Sequence, residues 1–171
     1  MFKKLIPVFA LASLTLAGCQ TPPTGPSITA DNKSIPSSGK IMGGTVQGAK
    51  VGPTTKVALS GSYDNSQGAK IDALGRPIQS DPVIIASVPV KEGKYSMDMP
   101  AVPTGAVKGG FSVVVYNDTN NNNQPDAGED KAAGNSSQIV FAPVLGYNVF
   151  NGGAAQITDT LALDKVNVTF N

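Results

Sequence analysis

Short runs in which apolar and polar residues alternate are the feature that most restricts the fold of this chain. Residues 95–99 and 166–170 alternate strictly, and residues 111–116 follow the same pattern. Clusters of Gly, Pro, Asn and Asp separate these runs, and no stretch of a dozen residues has the 3.6-residue period of an amphipathic helix. Because a period of two places successive side chains on opposite faces of a strand, the pattern predicts an all-β fold.

Further strands are predicted wherever a short apolar run lies between turn-forming residues. These strands are residues 56–60, 83–90, 139–141, 144–150 and 160–163. Seven to nine short strands in about 130 residues are typical of an antiparallel β-sandwich, with a small β-barrel as the alternative. In the last strand we expect Val166, Val168 and Phe170 to face the interior.

Two of these strands are predicted to form a hairpin. Residues 83–90 and 95–99 are joined by a Lys-Glu-Gly-Lys segment that supplies Gly for the turn. Pro89 lacks an amide hydrogen and therefore indicates an edge strand or a bulge. The first strand would present four apolar side chains on one face, namely Ile84, Ala86, Val88 and Val90.

The second strand of this hairpin carries a local resemblance. Gly93, Tyr95 and Pro100 match the G-x-Y-x-x-x-x-P hairpin and resemble prealbumin-like and carboxypeptidase-regulatory-like bacterial modules. The resemblance implies an immunoglobulin-like or prealbumin-like β-sandwich at a cell surface, with Tyr95 in the core. A generic β-hairpin is the alternative for this segment.

The amino-terminal segment has the features of an export signal. Two lysines precede an apolar stretch, residues 5–16, which is shorter than the about 20 residues that span a membrane. The stretch leads into Leu-Ala-Gly-Cys, which resembles the bacterial lipoprotein box, and Cys19 is the only cysteine of the chain. The resemblance implies cleavage after residue 18 and acylation of Cys19. An ordinary signal peptide is the alternative.

The sequence therefore predicts three segments. Residues 1–18 are the lipoprotein signal peptide, residues 19–39 are the lipidated cysteine and a linker rich in Pro, Ser and Thr, and residues 40–171 are the β-sandwich. Gln20 follows the cysteine, and by resemblance to enterobacterial sorting rules this favours the outer membrane over the inner membrane. We expect a head anchored to the membrane through Cys19.

The composition excludes several kinds of chemistry. The chain has no His and one Cys, so a Ser-His-Asp triad, a His-based metal site and an intrachain disulfide are excluded. The 13 Lys and Arg residues are balanced by 12 Asp and Glu residues without a strongly basic patch, which disfavours nucleic-acid binding. We therefore predict a protein that is not an enzyme and does not bind nucleic acid.

An Asn-rich loop after residues 111–116 carries a pattern of oxygen ligands. With Asp118 as position one of a twelve-residue calcium loop, positions three, five, seven, nine and twelve are Asn120, Asn122, Gln124, Asp126 and Glu129. Calcium prefers six to eight oxygen ligands, and a divalent ion would relieve the repulsion among the three carboxylates. The pattern predicts a calcium site, with an ion-free Asn-rich turn as the alternative.

The loop departs from the EF-hand pattern at two positions. Asn123 stands at position six, where the pattern has Gly, but Asn tolerates the left-handed backbone better than most residues. Pro125 stands at position eight, and the flanks are strands. The segment is more similar to the D-x-N-x-N-x-x-x-D-x-G-E loops of B-type repeats in bacterial surface adhesins. This resemblance implies a calcium ion that rigidifies a β-sandwich.

Two functions follow from these features. The first is a non-enzymatic envelope lipoprotein with a calcium-stiffened head, used for envelope structure or for contact with an envelope protein. The alternative is a binder of a small ligand or polysaccharide in which calcium bridges to the ligand. A bridging calcium would keep open coordination positions, whereas a structural calcium would be saturated by protein oxygens.

Overall fold

The computed structural model describes residues 34–79, 82–133, 137–151 and 160–171, so the predicted export signal and Cys19 lie outside the described residues. The described chain is all-β, as predicted, with one 3₁₀ turn at Leu163–Lys165. None of its residues belongs to a helix long and apolar enough to cross a membrane. The strands are β1 (Ser37–Gln47), β2 (Thr55–Asn65), β3 (Lys70–Ile71), β4 (Val83–Pro89), β5 (Lys94–Pro100), β6 (Ala106–Asn117), β7 (Lys131–Ala133), β8 (Ser137–Ala142), β9 (Gly146–Asn151), β10 (Thr160–Leu161) and β11 (Val168–Thr169).

The strands form two sheets that pack face to face. The smaller sheet has the order β11-β1-β5, and the larger has the order β10-β9-β8-β6-β2-β3. Strand β4 also pairs with β2, and β7 also pairs with β6. The described strands do not close into one barrel, so the architecture is the predicted sandwich and not the alternative barrel. Three of the strands, β1, β3 and β7, lie outside the predicted ones. Strands β3 and β7 have only two and three residues, too few for alternation to be recognised, and the alternation of β1 is interrupted by three glycines.

One pair of strands departs from the predicted antiparallel arrangement. Strand β11 runs parallel to β1, with Val46 opposite Val168 and Gln47 opposite Thr169. Parallel neighbours need a long crossover connection in place of a tight turn, and most of the chain lies between these two strands. A pattern of short strands and tight turns therefore could not predict this pair.

The core lies between the sheets and is built from alternate residues of the strands. The inner face predicted for residues 166–170 is confirmed, because Val166, Val168 and Phe170 are all buried. Tyr95 is also buried, and its hydroxyl donates to the Val166 carbonyl oxygen at 2.7 Å. The core residues include Met42, Val46, Val57, Leu59, Tyr63, Tyr95, Met97, Met99, Phe111, Val113, Val115, Ile139, Val149, Val166, Val168 and Phe170.

The predicted hairpin of β4 and β5 is wrong, although its turn is present. Lys91 and Lys94 exchange two backbone hydrogen bonds of 2.9 Å, and Glu92 and Gly93 have φ values of 50° and 71°. Beyond this turn the strands separate, because β4 pairs with β2 in the larger sheet and β5 pairs with β1 in the smaller sheet. Each strand gains six residue pairs with its longer neighbour, and both still face the same core from opposite sheets.

A bulge changes which residues of β4 face the core. Leu59 pairs with Ala86 but Ser60 pairs with Ile84, so Ile85 is the extra residue. Ile85 is buried in the core and Ile84 is only half-buried, which corrects the predicted face at its first position. Among the described strands β4 pairs only with β2, so the edge position indicated by Pro89 is confirmed.

The fold begins before the boundary at residue 40 that composition indicates. Ile35 is buried in the core, and β1 begins at Ser37. Composition predicts a linker for the residues before 40 because they are rich in Pro and Ser. Backbone pairing of Ser37 with Pro100 nevertheless holds it against β5.

Three chain segments meet at the end of the sandwich where the described chain enters, which we call the base. The Ala101 backbone N–H donates to the Pro36 carbonyl oxygen at 2.6 Å, which joins the entering segment to the β5–β6 connection. The β8–β9 turn lies at the same end, because Phe141 pairs with Gly109 near the start of β6. The Asn-rich loop follows the last residue of β6 and therefore lies at the opposite end.

Candidate metal centre

The Asn-rich loop joins β6 to β7 and is held by the sheet at both ends. The Asn117 backbone N–H donates to the Asp130 carbonyl oxygen at 3.1 Å, which closes the loop. The Asp118 backbone N–H donates to the Thr54 carbonyl oxygen at 3.0 Å. These bonds fix where residues 118–129 leave and rejoin the sheet.

The carboxylate of Asp118 organises the first half of the loop. Its Oδ1 accepts the backbone N–H of Asn122 at 3.1 Å, and its Oδ2 accepts that of Asn123 at 3.0 Å. Two Asx turns follow along the loop. The Asn122 backbone N–H donates to Asn120 Oδ1 at 3.1 Å, and the Gln124 backbone N–H donates to Asn122 Oδ1 at 2.8 Å. The backbone therefore curls around the residue at position one of the predicted calcium loop.

The bends of this curl use left-handed backbone. Asn121 has a φ of 59° and Asn123 has a φ of 63°. Few residues other than Gly, Asn and Asp adopt this region. Asn123 is at position six, where calcium loops have Gly for a sharp turn. The expectation that Asn would tolerate this conformation is confirmed.

The second half of the loop closes onto the first through Asp126 and Glu129. Asp126 Oδ2 accepts from the side-chain amides of Asn120 at 2.7 Å and Asn122 at 2.6 Å. Glu129 Oε1 accepts the Thr119 backbone N–H at 2.8 Å, and Oε2 accepts the Asp126 backbone N–H at 3.1 Å. Both acidic residues thus hold the loop in a closed shape.

Most of the predicted ligand residues are brought together. The five that converge through side-chain hydrogen bonds are Asp118, Asn120, Asn122, Asp126 and Glu129. Gln124 joins through its backbone amide, and position seven of a calcium loop uses the backbone carbonyl. Within the part of the chain that the structure describes, no three Asp, Glu, His or Cys side chains cluster closely enough to hold a metal ion. An ion here would therefore need Asn oxygens beside the carboxylates.

Lys56 is a partner of the loop that the sequence analysis missed. It lies on β2 opposite Tyr116 of β6. Its Nζ is 2.6 Å from Asp118 Oδ2, 2.7 Å from Asn123 Oδ1 and 3.2 Å from Asn121 Oδ1. Alternation along β2 predicts only that Lys56 points away from the core. The pairing of β2 with β6 brings it under the loop, and no local signal contains that information.

Burial and hydrogen bonding act in opposite directions on the pKa of Asp118. Burial raises the pKa, because it removes water from the charged form. The hydrogen bonds from the Lys56 ammonium and from the Asn123 and Asn122 backbone amides lower it and outweigh burial. The pKa of Asp118 therefore lies below its ordinary value, and its carboxylate is ionised at neutral pH.

Tyr116 comes two residues before the loop in β6 and does not belong to the core cluster between the sheets. Tyr116 is fully buried, and its hydroxyl oxygen is 2.7 Å from Ser87 Oγ. The pKa of Tyr116 is raised to about 12, mainly because the residue is buried. The Ser87 hydrogen bond lowers this pKa, whereas the Asp118, Glu129 and Asp126 carboxylates raise it. The carboxylates of the loop are therefore close enough to Tyr116 to disfavour its ionisation.

The donor set of the loop fits a hard cation. It consists of carboxylate and amide oxygens without imidazole or thiolate, which suits calcium better than a transition metal. Asp118, Asp126 and Glu129 already accept hydrogen bonds from the loop, and Lys56 holds one oxygen of Asp118. Calcium would therefore compete with an internal cation for this site.

The chain matches no protein-family model, no curated protein sequence and no solved structure. Its class is therefore defined by the fold and the loop: an all-β sandwich that carries an oxygen-rich Asp and Asn loop at one end.

Proposed function

We propose that this protein is a non-enzymatic, lipid-anchored envelope protein whose β-sandwich head is stiffened by calcium in the loop of residues 118–129. The observation that carries the proposal is the convergence of the ligand side chains around a backbone that is left-handed at Asn123. An Asn-rich turn without a role would not need five residues at ligand positions to meet.

Charge in the loop supports a divalent ion. Three carboxylates lie in it, and Lys56 compensates one of them through its ion pair with Asp118. Lys131 also reaches the loop, but its Nζ donates to the Pro125 carbonyl oxygen at 3.2 Å. Among the described residues, no Lys or Arg forms an ion pair with Asp126 or Glu129. A calcium ion would neutralise them.

Calcium would have a structural role here. The residues that would hold it are Asp118, Asn120, Asn122, Asp126 and Glu129, with the backbone carbonyl of Gln124. Because the loop ends are bonded to β6, β7 and the segment before β2, an ion that locks the loop would also restrain this end of the sandwich. Extracellular calcium modules work at affinities on the order of 0.1–1 mM, which suits the low ligand charge of this loop.

Anchoring rests on the amino-terminal sequence. The lipoprotein box around Cys19 supports acylation of that residue, with the outer membrane favoured by Gln20. Two or more acyl chains give stable anchoring where a single chain is marginal. The partner of the head in this proposal is another envelope protein, and the membrane is reached through the lipid.

The alternative is a calcium-bridged binder of a small ligand or polysaccharide. A bridging ion would keep coordination positions open toward solvent. The carboxylates of Asp118, Asp126 and Glu129 are all engaged inside the loop, which favours the structural role.

Calorimetric titration of the chain from Gln20 to Asn171 tests the calcium proposal. This chain retains every described residue, and its core draws only on residues from Ile35 onward. We expect one calcium ion per chain and weaker binding of magnesium, which keeps its own waters. An absence of binding up to about 10 mM calcium, well above the expected dissociation constant, would leave only an ion-free turn.

A further inference from the structure

We propose that the β8–β9 turn inserts into the surface of the lipid bilayer, so that the base of the sandwich faces the membrane. The inference rests in part on the proposed lipid anchor. Its other support is the distribution of exposed apolar side chains over the described residues.

The tip of the β8–β9 turn exposes two large apolar side chains. Val144 is 94% exposed and its neighbour Leu145 is 69% exposed. The turn itself is ordered by hydrogen bonds, since Leu145 N donates to the Ala142 carbonyl oxygen at 3.1 Å and Asn148 Nδ2 donates to the Leu145 carbonyl oxygen at 3.1 Å. The two side chains therefore project from a fixed tip.

Most of the exposed apolar side chains of the described chain lie at this end. Val102 and Val107 are 38% and 42% exposed, in the β5–β6 connection and at the start of β6. Together with the turn they account for four of the five large apolar side chains that are exposed among the described residues. Single exposed apolar residues are common, but a group at one end marks an interaction surface.

Lysines at the base complement an anionic lipid surface. Asp64 is paired with Lys70 at 2.9 Å and with Lys108 at 3.0 Å. The Lys108 side chain is 68% exposed, and it follows Val107 directly in β6. Anionic headgroups attract Lys and Arg residues that lie near the membrane surface.

The position of the tether favours a bilayer over other occupants. The described chain enters at the base, and 14 residues separate Cys19 from Ser34. A segment of this length spans at most about 50 Å, which limits how far the entry point of the described chain can lie from the lipid. An anchor at Cys19 would therefore keep the base, and not the calcium-loop end, close to the lipid and at high effective concentration.

The absence of tryptophan from the sequence gives a direct test. Leu145→Trp places a single indole at the tip, and Gln47→Trp is the control, because Gln47 is exposed at the end of β1 that is remote from the base. Each variant of the chain from Gln20 to Asn171 would carry an amino-terminal histidine tag. It would be tethered to vesicles of phosphatidylethanolamine and phosphatidylglycerol that contain a nickel-chelating lipid and brominated acyl chains.

We expect a blue shift and loss of emission for the indole at position 145, and an unchanged spectrum for the indole at position 47. Adding Lys108→Gln to Leu145→Trp should reduce the loss. Equal spectra at the two positions would overturn the proposal. A blue shift that grows with protein concentration without vesicles would also overturn it, because the occupant would then be a second copy. The tag replaces the acyl chains, so failure of Cys19 acylation would be detected separately by palmitate labelling.

Discussion

The ammonium of Lys56 and the carboxylate of Asp118 form a 2.6 Å ion pair under the Asn-rich loop, although 62 residues separate them in sequence. The Asp118 side chain is completely buried and that of Lys56 is 15% exposed. A buried carboxylate that has no partner is costly, so the lysine stabilises the loop when no metal is bound. The same pair would lower the affinity of the loop for the proposed calcium ion, because calcium would have to share Asp118 with Lys56.

Glu129→Gln should remove most of the stabilisation that calcium provides. Glu129 is at position twelve, where a bidentate carboxylate is expected, and the substitution removes one charge and the bidentate geometry. A ligand that binds only the folded state at tenfold excess over its dissociation constant adds about 1.4 kcal/mol to the free energy of unfolding. Thermal melts in millimolar calcium and in chelator measure this gain. Asp130→Asn, just outside the loop, is the control and should keep the gain.

Lys56→Met should destabilise the fold less in calcium than in chelator. In chelator it leaves Asp118 buried and unpaired, which should lower the free energy of unfolding by about 3 kcal/mol. In calcium the loss should be smaller, because the competing ammonium is gone and calcium binds more tightly. The control is Lys50→Met, since the Lys50–Asp130 pair at 3.3 Å is largely exposed. A calcium-induced shift no larger than that of the wild type would show that Lys56 does not compete with the ion.

Asn123 gives a test of the backbone that is separate from its contact with Lys56. Asn123→Ala and Asn123→Gly both remove the 2.7 Å contact with the ammonium. Only Ala is penalised by the φ of 63°, so the Ala variant should be less stable than the Gly variant by about 1 kcal/mol. Urea unfolding of both variants in chelator measures the difference. Equal stabilities would mean that position 123 is not held in the left-handed conformation.

The Asp118 carboxylate should make the fold sensitive to acid. Its pKa is lower in the folded state than in the unfolded chain, so the folded state binds fewer protons. Its contribution to stability is therefore complete above the unfolded pKa of about 4 and is lost as the pH falls through the lower folded value. Asp118→Asn should abolish this part of the pH dependence, whereas Asp130→Asn should retain it. Chelator-treated urea titrations between about pH 2 and 6 compare the two, and parallel profiles would contradict the prediction.

Cys19→Ala should abolish membrane retention of the full-length chain. The residue is the only cysteine and completes the lipoprotein box, so its loss removes the predicted acylation site. Fractionation of cell envelopes and incorporation of labelled palmitate measure the two parts of this prediction. A variant that stays in the membrane fraction without label would contradict anchoring through Cys19.

Much of the candidate site could be predicted because it is one contiguous segment. The turns that curl the loop connect residues two apart, such as Asn120 with Asn122, so spacing alone contains their geometry. Lys56 and Tyr116 could not be predicted as parts of the site. They come together through the register of β2 against β6, where Lys56 lies opposite Tyr116.

The sequence by itself determined most of β2, β4, β5, β6, β8 and β9 and the loop after β6, because alternation and turn chemistry act over a few residues. It did not indicate β1, which contains three glycines and too few apolar residues for a clear pattern. It did not determine the partners of the strands. The turn between Lys91 and Lys94 forms as predicted, yet β4 and β5 belong to different sheets, and one bulge buries Ile85 in place of Ile84. Strand pairing depends on hydrogen bonds and burial summed over the whole sandwich, and no local window contains that sum. Only the tertiary structure therefore decided that Lys56 lies under the loop and that the apolar tip lies at the end where the chain enters.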